Sequence, residues 1–251
     1  MHKRRGSFMK WWVAAIGIPF ASYGAYAAAT WLRYGSTQPA TDENVDELLD
    51  RFMPKYEVVD RHRIRIAAPS DVAFNTAARI DLNDSSLIRA IFKARELILL
   101  SKRDNQIRPR GLLDQMHSLG WGTLAELPGR EIVMGGVTKP WEANPVFRAL
   151  PPESFATFHE PGFVKIIWTL RADAVNEGEC VFRTETRAAA TDAESRRRFR
   201  RYWSFLSPGI IVIRRTMVPI VKRQAETRWR ALTISSVENT APSLFRKPGR
   251  S

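Results

Sequence analysis

Cysteine is almost absent from this sequence. Cys180 is the only one, so no disulfide can form within the chain, and cysteine usage does not indicate a cellular compartment. A single cysteine inside a strand-like pattern usually behaves as a small buried hydrophobic residue. We therefore expect Cys180 to lie in the core.

Recognisable catalytic and metal-binding motifs are also lacking. The sequence has no Gly-x-Ser-x-Gly elbow, no phosphate-binding loop, no Gly-x-Gly-x-x-Gly, no Cys-x-x-Cys and no His-Glu-x-x-His. The four histidines, His2, His62, His117 and His159, do not have metal-ligand spacing. We predict no metal site and no cofactor.

Positive charge, in contrast, is abundant and unevenly distributed. The chain has 39 Lys and Arg against 26 Asp and Glu, a net charge of +13. Basic residues concentrate in residues 1–10, 191–230 and 240–251, and the remaining body is nearly neutral. Such basic ends suit an anionic membrane surface. Because no nucleic-acid-binding module is recognisable, we do not predict a nucleic-acid partner.

An apolar run near the N-terminus predicts a membrane anchor. Residues 11–32 contain no charged side chain, and as a helix they would be about 33 Å long, enough for a bilayer core. The basic flank precedes this run, which places the N-terminus in the cytoplasm and the body outside it. A cleaved signal peptide is the alternative, with small residues at 25–29 as a cleavage site. The domain would then be secreted or periplasmic.

The body of the chain shows strand patterns and helix patterns in an α+β order. Residues 56–67 alternate, with His62 on the apolar side and arginines on the other. Further strands are predicted over residues 121–127, 131–137, 163–174 and 180–189. Pro128-Gly129 and residues 176–178 predict hairpin turns between them, Gly135-Gly136 predicts a bulge or sharp bend, and residues 144–160 are interpreted as a long crossing loop. We expect Arg183, Glu185 and Arg187 to form a solvated charged ladder. Short helices are predicted over residues 44–52, 72–79, 85–100 and 111–119.

A long basic amphipathic helix is predicted over residues 191–230. Its apolar positions step by threes and fours, and Thr191 with Glu194 forms a capping-box pattern at its start. Pro208 should kink or restart this helix, and Pro219 should bend it again. We interpret the whole as one curved antiparallel sheet that packs against a long, kinked C-terminal helix.

Several sequence segments resemble the START-like, or SRPBCC, superfamily of polyketide cyclase-like and lipid-transfer-like helix-grip proteins. Ala68-Pro69-x-x-Val72 resembles its strand-to-helix start. Four other segments resemble a bacterial, membrane-anchored subgroup: residues 53–62 (MPKYEVVDRH), 161–165 (PGFVK), 184–187 (TETR) and 198–203 (RFRRYW). The resemblance covers about residues 53–230. Together with the apolar run and the composition of the two ends, it divides the chain into a membrane anchor or signal (1–34), an acidic linker (35–52), the START-like domain (53–232) and a disordered basic tail (233–251).

This resemblance implies a cup between the concave sheet and the long helix that binds an apolar or amphipathic, lipid-like molecule. The positions expected to line the cup or its mouth are Trp141, Phe155, Phe158, Trp168, Phe182, Tyr202, Leu206 and Ile210. Ordinary core packing of the same side chains is the alternative.

Two other functions stay open. One is a cyclase- or dehydratase-type enzyme that uses His62, which strand alternation turns inward, for proton transfer. The other is a scaffold without a ligand, whose Arg197 and Arg201 dock a membrane or an acidic partner.

Overall fold

The computed structural model describes residues 21–37, 41–42, 45–81, 85, 89–90, 93 and 109–240, with side chains up to residue 235. Most of the predicted helix over residues 85–100 lies outside these ranges. So do the first part of the predicted anchor and the tail beyond residue 240.

The described elements follow the predicted α+β order. The first helix, α1, covers residues 21–33. The other elements are, in chain order, α2 (Glu47–Phe52), β1 (Val58–Ile66), α3 (Ser70–Arg79), α4 (Leu112–Ser118), β2 (Gly122–Leu127), β3 (Glu131–Thr138), α5 (Pro152–Thr157), β4 (Val164–Asn176), β5 (Glu179–Ala190) and α6 (Ala193–Thr240).

The strands form one antiparallel five-stranded sheet in the order β1-β5-β4-β3-β2. The predicted hairpins β2–β3 and β4–β5 are confirmed. The predicted irregularity at Gly135 corresponds to a register shift between Thr123 and Ala125 on the partner strand. A Cβ on Gly135 would lie 2.5 Å from Leu124 Cδ1. The Leu124 side chain can therefore pack against the backbone here because residue 135 is a glycine.

The inner face of the sheet, which packs against α3 and α6, carries the largest apolar cluster. Ile66, Trp168, Leu170 and Phe182 are buried there. Cys180 is fully buried in the same cluster, as predicted. Burial raises the pKa of its thiol to about 11, which keeps it a neutral, unreactive group at neutral pH.

The outer face of the sheet is not the solvated surface that alternation indicated. Arg187 is fully buried and Glu185 is 6% exposed. Arg187 donates to Asp50 (2.5 Å), to Glu185 (2.7 Å) and to the carbonyl of Met53 (2.9 Å). The prediction of a solvated ladder was wrong because α2 covers this end of the sheet and supplies the acceptors.

Helix α6 differs from the prediction at its start and at its end. Asp192, and not Thr191, caps it: the Asp192 carboxylate accepts from the backbone N–H of Glu194 (2.8 Å) and of Ser195 (3.0 Å). The helix does not restart at Pro208 but runs through both internal prolines to Thr240. Each proline removes one main-chain donor, and the packing of α6 against the sheet and α3 stabilises the remainder.

Helix α1 packs beside the first half of α6. Tyr23 donates to the Phe205 carbonyl, Tyr26 contacts Ser207 (3.1 Å between hydroxyl oxygens), and Arg200 donates to the Trp31 carbonyl (2.7 Å). Among the described residues, one helix is long and apolar enough to cross a membrane by length and composition, and it is α6 over Ala193–Ser235. Its C-terminal half, however, is anchored on the sheet domain.

Candidate functional site

A polar cluster lies on the otherwise apolar inner face. Asp60 and His62 come from β1, where they are two residues apart and therefore share a face, and His62 Nε2 lies 3.1 Å from the Asp60 carboxylate. Arg214 reaches this cluster from α6. Its Nε is 3.6 Å from Asp60 Oδ2, and its Nη1 is 3.3 Å from Thr184 Oγ1. These four residues form what we call the inner polar cluster.

Two further polar atoms next to the inner polar cluster are buried without a hydrogen-bond partner among the described residues. They are Trp168 Nε1 and Thr186 Oγ1. Trp168 and Thr186 are directly opposite each other on β4 and β5, and Thr186 is opposite Asp60 on β1. Since buried donors are normally satisfied, this pair marks a place where a partner with acceptor atoms would be stabilised.

Among the predicted cup residues, six lie on the inner face or on α6. Trp168 and Phe182 are buried in the main apolar cluster. Trp141 and Tyr202 pack, partly buried, in a smaller cluster around Phe199. Leu206 and Ile210 are half-buried on α6. The structure therefore divides four of these six between two neighbouring clusters of the same face, and Leu206 and Ile210 belong to neither cluster.

The two phenylalanines expected at the mouth of the cup lie elsewhere. Phe155 is fully buried on the outer face with Leu124, Val133 and Ile167, and Phe158 packs against the same cluster. Their predicted position was wrong because α5, which forms within the predicted crossing loop, packs on the outer face. Phe155 would contact a Cβ at Gly135 at 3.0 Å.

The predicted surface arginines are exposed on the first turns of α6. Arg197 forms an ion pair with Glu194, one turn earlier on the same helix, and Arg201 is exposed. Pairs of this kind on a helix surface contribute little to stability. A role of Arg197 and Arg201 at a membrane or acidic partner stays a prediction.

Two members of the inner polar cluster were missed from the sequence. Asp60 shares the period of His62 and Ile64, so strict alternation would have placed it inward. Arg214 follows Ile210 by four residues and precedes Met217 by three, so it continues the stripe that packs on the sheet. The sequence signal was the pair Arg214-Arg215 inside an otherwise uncharged stretch, residues 202–221.

The outer face carries a second polar site, a cavity of about 230 Å³. It lies between the start of α2 and the sheet, and its lining includes Asp46, Arg61, Arg63, Thr169, Arg171 and Arg183. We call it the outer arginine cavity. Buried Glu131 lies beside it, 3.8 Å from Arg171. Burial, together with the nearby Asp46 carboxylate, raises the pKa of Glu131 to about 7, although Arg171 opposes the shift.

In the described part of the chain, no group of three or more His, Cys, Asp or Glu side chains is placed so that it could hold a metal ion.

Comparisons with known proteins give structural similarities at low identity. No protein-family model and no curated protein matches the chain. A Thermobifida fusca protein solved by NMR is 10% identical (TM-score 0.28; 64% of this chain and 89% of that one covered). CalU16 from Micromonospora echinospora is 12% identical, with a TM-score of 0.24, and the match covers 69% of this chain and 87% of that one. Zhui aromatase/cyclase from Streptomyces sp. R1128 is 13% identical, with a TM-score of 0.20, and the match covers 68% of this chain and 94% of that one. Because all three TM-scores are below 0.5, these similarities say what the chain resembles and not what it does.

Proposed function

We propose that the protein is a START-like, helix-grip binding protein that holds an amphipathic, lipid-like molecule between the inner face of the sheet and α6. The observation that carries this proposal is the pair Trp168 Nε1 and Thr186 Oγ1, two buried polar atoms on directly opposite residues of β4 and β5 that have no partner among the described residues. An unsatisfied buried donor costs about 1–3 kcal/mol. A ligand oxygen placed between them removes that cost.

The surroundings of this pair indicate the chemistry of the ligand. Arg214 and the Thr184 hydroxyl lie on one side, so the polar end of the ligand carries acceptor oxygens, as a carboxylate does. Phe182 and Met217 belong to the adjoining apolar cluster, which suits a hydrocarbon body. Ligand sites commonly combine an apolar wall with a few convergent polar groups.

The position of α1 supports a membrane tether beside this site. Its described residues contact α6 at Phe205 and Ser207, next to Pro208. In our proposal the apolar run that starts at residue 11 is retained as a single-pass anchor, with the N-terminus in the cytoplasm and the domain outside. The helix that walls the site would then lie close to the bilayer from which a lipid-like ligand enters.

Binding of a fluorescent fatty acid tests the proposal directly. The probe is 11-(dansylamino)undecanoic acid, titrated into the full-length protein in a nonionic detergent. Trp168→Phe keeps the ring and removes the N–H, and Thr186→Val keeps the shape and removes the hydroxyl. Each should weaken binding about 2- to 10-fold, which corresponds to about 0.5–1.5 kcal/mol for a hydrogen bond.

Trp229→Phe is the matched control, because Trp229 is only partly buried against the main apolar cluster and lies on α6 well beyond Arg214. It should leave the affinity unchanged. Native mass spectrometry of the purified protein should also show a co-purifying small molecule. Absence of such a molecule, together with equal probe affinity in all variants, would exclude a ligand at this site.

A proton-transfer enzyme is the second candidate, and the contact between His62 and Asp60 favours it. A carboxylate 3.1 Å from an imidazole nitrogen orients the ring for proton transfer. In a dehydration, His62 would take the proton next to the carbonyl of a 3-hydroxyacyl thioester and give it to the departing hydroxide, which leaves as water. His62→Gln should abolish that conversion, measured by mass spectrometry, and leave probe affinity intact. If the variant only lowers the thermal stability, His62 is structural.

A further inference from the structure

The side of α6 that faces away from the sheet carries apolar residues in its middle, where a surface helix is normally polar. Phe205 is 50% exposed and Val212 is 38% exposed, and Pro208 between them is half-buried. Arg201 precedes Phe205 by four residues, Arg215 follows Val212 by three, and both arginines are exposed. Steps of three and four residues place all five on one face of a helix. We call this face the outward stripe.

The outward stripe crosses a part of α6 that has no charged side chain. Residues 202–213 contain none, and an arginine pair stands at each end of this run, Arg200-Arg201 and Arg214-Arg215. At about 1.5 Å per residue, Arg201 and Arg215 are about 21 Å apart along the helix. Only 28% of the most apolar 18-residue window of α6 is buried. The helix therefore has more apolar surface than the sheet covers.

Both ends of the uncharged run are fixed to the sheet domain. Phe199 is buried in a cluster with Val58 and Val164, and Met217 is buried in the main apolar cluster of the inner face. Between these two positions, α6 cannot pass through a bilayer unless it separates from the sheet. A helix held in this way can instead lie along a bilayer, with only its apolar stripe in the boundary between headgroups and acyl chains.

Helix α1 lies against the flank of the same part of α6. Tyr23 donates to the Phe205 carbonyl, and Tyr26 contacts Ser207, which is fully buried. Leu32 on α1 is 75% exposed, so this helix presents apolar surface as well. Tyr23, Tyr26 and Leu32 all belong to the apolar run of the proposed membrane tether. The part of α6 that Tyr23 and Tyr26 contact then lies next to the bilayer.

The arginines at the two ends of the outward stripe suit a lipid surface. A long arginine side chain can keep its hydrocarbon stem on an embedded apolar surface while its guanidinium reaches the lipid phosphates. Anionic headgroups complement the positive charge of Arg201 and Arg215. A protein partner, in contrast, would have to displace the bilayer beside which α1 holds this face.

We propose that the outward stripe of α6 inserts into the extracytoplasmic leaflet of a bilayer that contains anionic phospholipid. Phe205, Pro208 and Val212 enter the boundary between headgroups and acyl chains, and Arg201 and Arg215 bind lipid phosphates at either end. The inference rests on the membrane tether of the proposed function and does not depend on the ligand. It orients the domain with α6 towards the bilayer and the sheet behind α6.

The test places a fluorescent NBD label on the full-length protein, at Phe205→Cys or Val212→Cys. The native Cys180 is buried, and the wild-type protein is the labelling blank. The labelled protein is reconstituted into phosphatidylcholine liposomes with or without phosphatidylglycerol, and phospholipids with a nitroxide on the acyl chain quench NBD from within the bilayer. We expect blue-shifted emission and strong quenching at both positions, at a depth of about 5–10 Å.

Two matched controls separate insertion from nonspecific contact. Val175→Cys places the label at another exposed valine, near the opposite end of β4 from Val164, and it should not be quenched. Arg201→Gln combined with Arg215→Gln should remove the additional quenching at residue 212 that phosphatidylglycerol gives. Arg51→Gln, at an exposed position of α2 on the outer face, should leave that quenching unchanged.

Flotation of the liposomes separates the possible failures. Protein that does not float with them overturns the tether and, with it, the insertion. Protein that floats, but is quenched at residues 205 and 212 no more than at residue 175, overturns the insertion alone. Blue-shifted emission without quenching also overturns it, because a second copy of the chain would then cover the stripe. Failure of fatty-acid binding leaves the insertion standing. If Phe205→Cys lowers the melting temperature, Val212→Cys decides the outcome.

Discussion

Arg214 Nε lies 3.6 Å from Asp60 Oδ2 and so connects the middle of α6 to the start of the sheet. The side chains of Arg214 and Asp60 are 17% and 13% exposed, and apolar contacts hold much of the rest of α6 on the inner face. An ion pair at such a position fixes the register of a helix more than it adds stability, because most of its attraction offsets desolvation.

Removal of one member of this pair should destabilise the protein, whereas removal of both should cost less than the sum. We expect Asp60→Asn to lower the free energy of unfolding by about 2–3 kcal/mol, below the 3–5 kcal/mol for fully buried pairs because both groups retain some solvent. The double variant Asp60→Asn, Arg214→Met should recover part of this loss. Urea unfolding measures all variants. Strictly additive effects would show that the two side chains do not interact.

Arg187 should be the most sensitive charged residue of the outer face. It is fully buried and donates to Asp50, to Glu185 and to a carbonyl, so truncation leaves buried acceptors without a donor. We expect Arg187→Ala to lower the free energy of unfolding by about 3–5 kcal/mol. Arg215→Ala, at an exposed position of α6, should change it by less than about 0.5 kcal/mol. A comparable, small loss in both would mean that Arg187 is hydrated in solution.

The strands and hairpins could be predicted from the sequence because their information is local. Alternation assigns each residue of β1, β4 and β5 to one of two faces, and turn residues such as Pro128-Gly129 fix the hairpins. Alternation also predicted that Trp168 and Phe182 point to one face, where both are buried.

What covers the second face could not be predicted in the same way. A short helix over residues 44–52 was predicted and corresponds to α2 (Glu47–Phe52), but its sequence does not say which face of the sheet it covers. Helix α5 contains six residues, too few for a helical period to be recognised in proline-rich surroundings. Arg187 was therefore interpreted as solvated and Phe155 as part of the mouth of the cup. The inner polar cluster was missed for a related reason, since a contact between Asp60 and Arg214 depends on the packing of α6.

Gly135 offers a test of close packing between the strand pair β2–β3 and the outer-face cluster. A Cβ at this position would lie 2.5 Å from Leu124 Cδ1 and 3.0 Å from Phe155 Cε2. We expect Gly135→Ala to destabilise the protein by about 1–3 kcal/mol through overpacking. The control is Gly178→Ala, where the nearest atom is 3.9 Å away, and it should be close to neutral. Equal melting temperatures would show that Leu124 moves aside freely.

The protonation of Glu131 should make stability depend on pH between about 4.5 and 7. Burial raises its pKa from 4.5 to about 7, and Asp46 contributes to the shift. The folded protein therefore binds this proton more tightly than the unfolded chain does. The resulting stabilisation is complete below about pH 4.5 and is lost as the pH rises through about 7.

Urea unfolding at about pH 5 and about pH 8 measures this contribution, and Glu131→Gln removes it. Asp46, Arg171, Asp173 and Thr169 surround the carboxyl group and remain in the variant, so the difference between the two proteins isolates Glu131. We expect wild type to lose on the order of 2 kcal/mol more than Glu131→Gln over this interval. Since Asp46 caps the N-terminus of α2, the protection factors of the α2 amides, corrected for the intrinsic pH dependence of exchange, should fall over the same interval in wild type alone. Equal pH profiles would place the Glu131 carboxylate in contact with water.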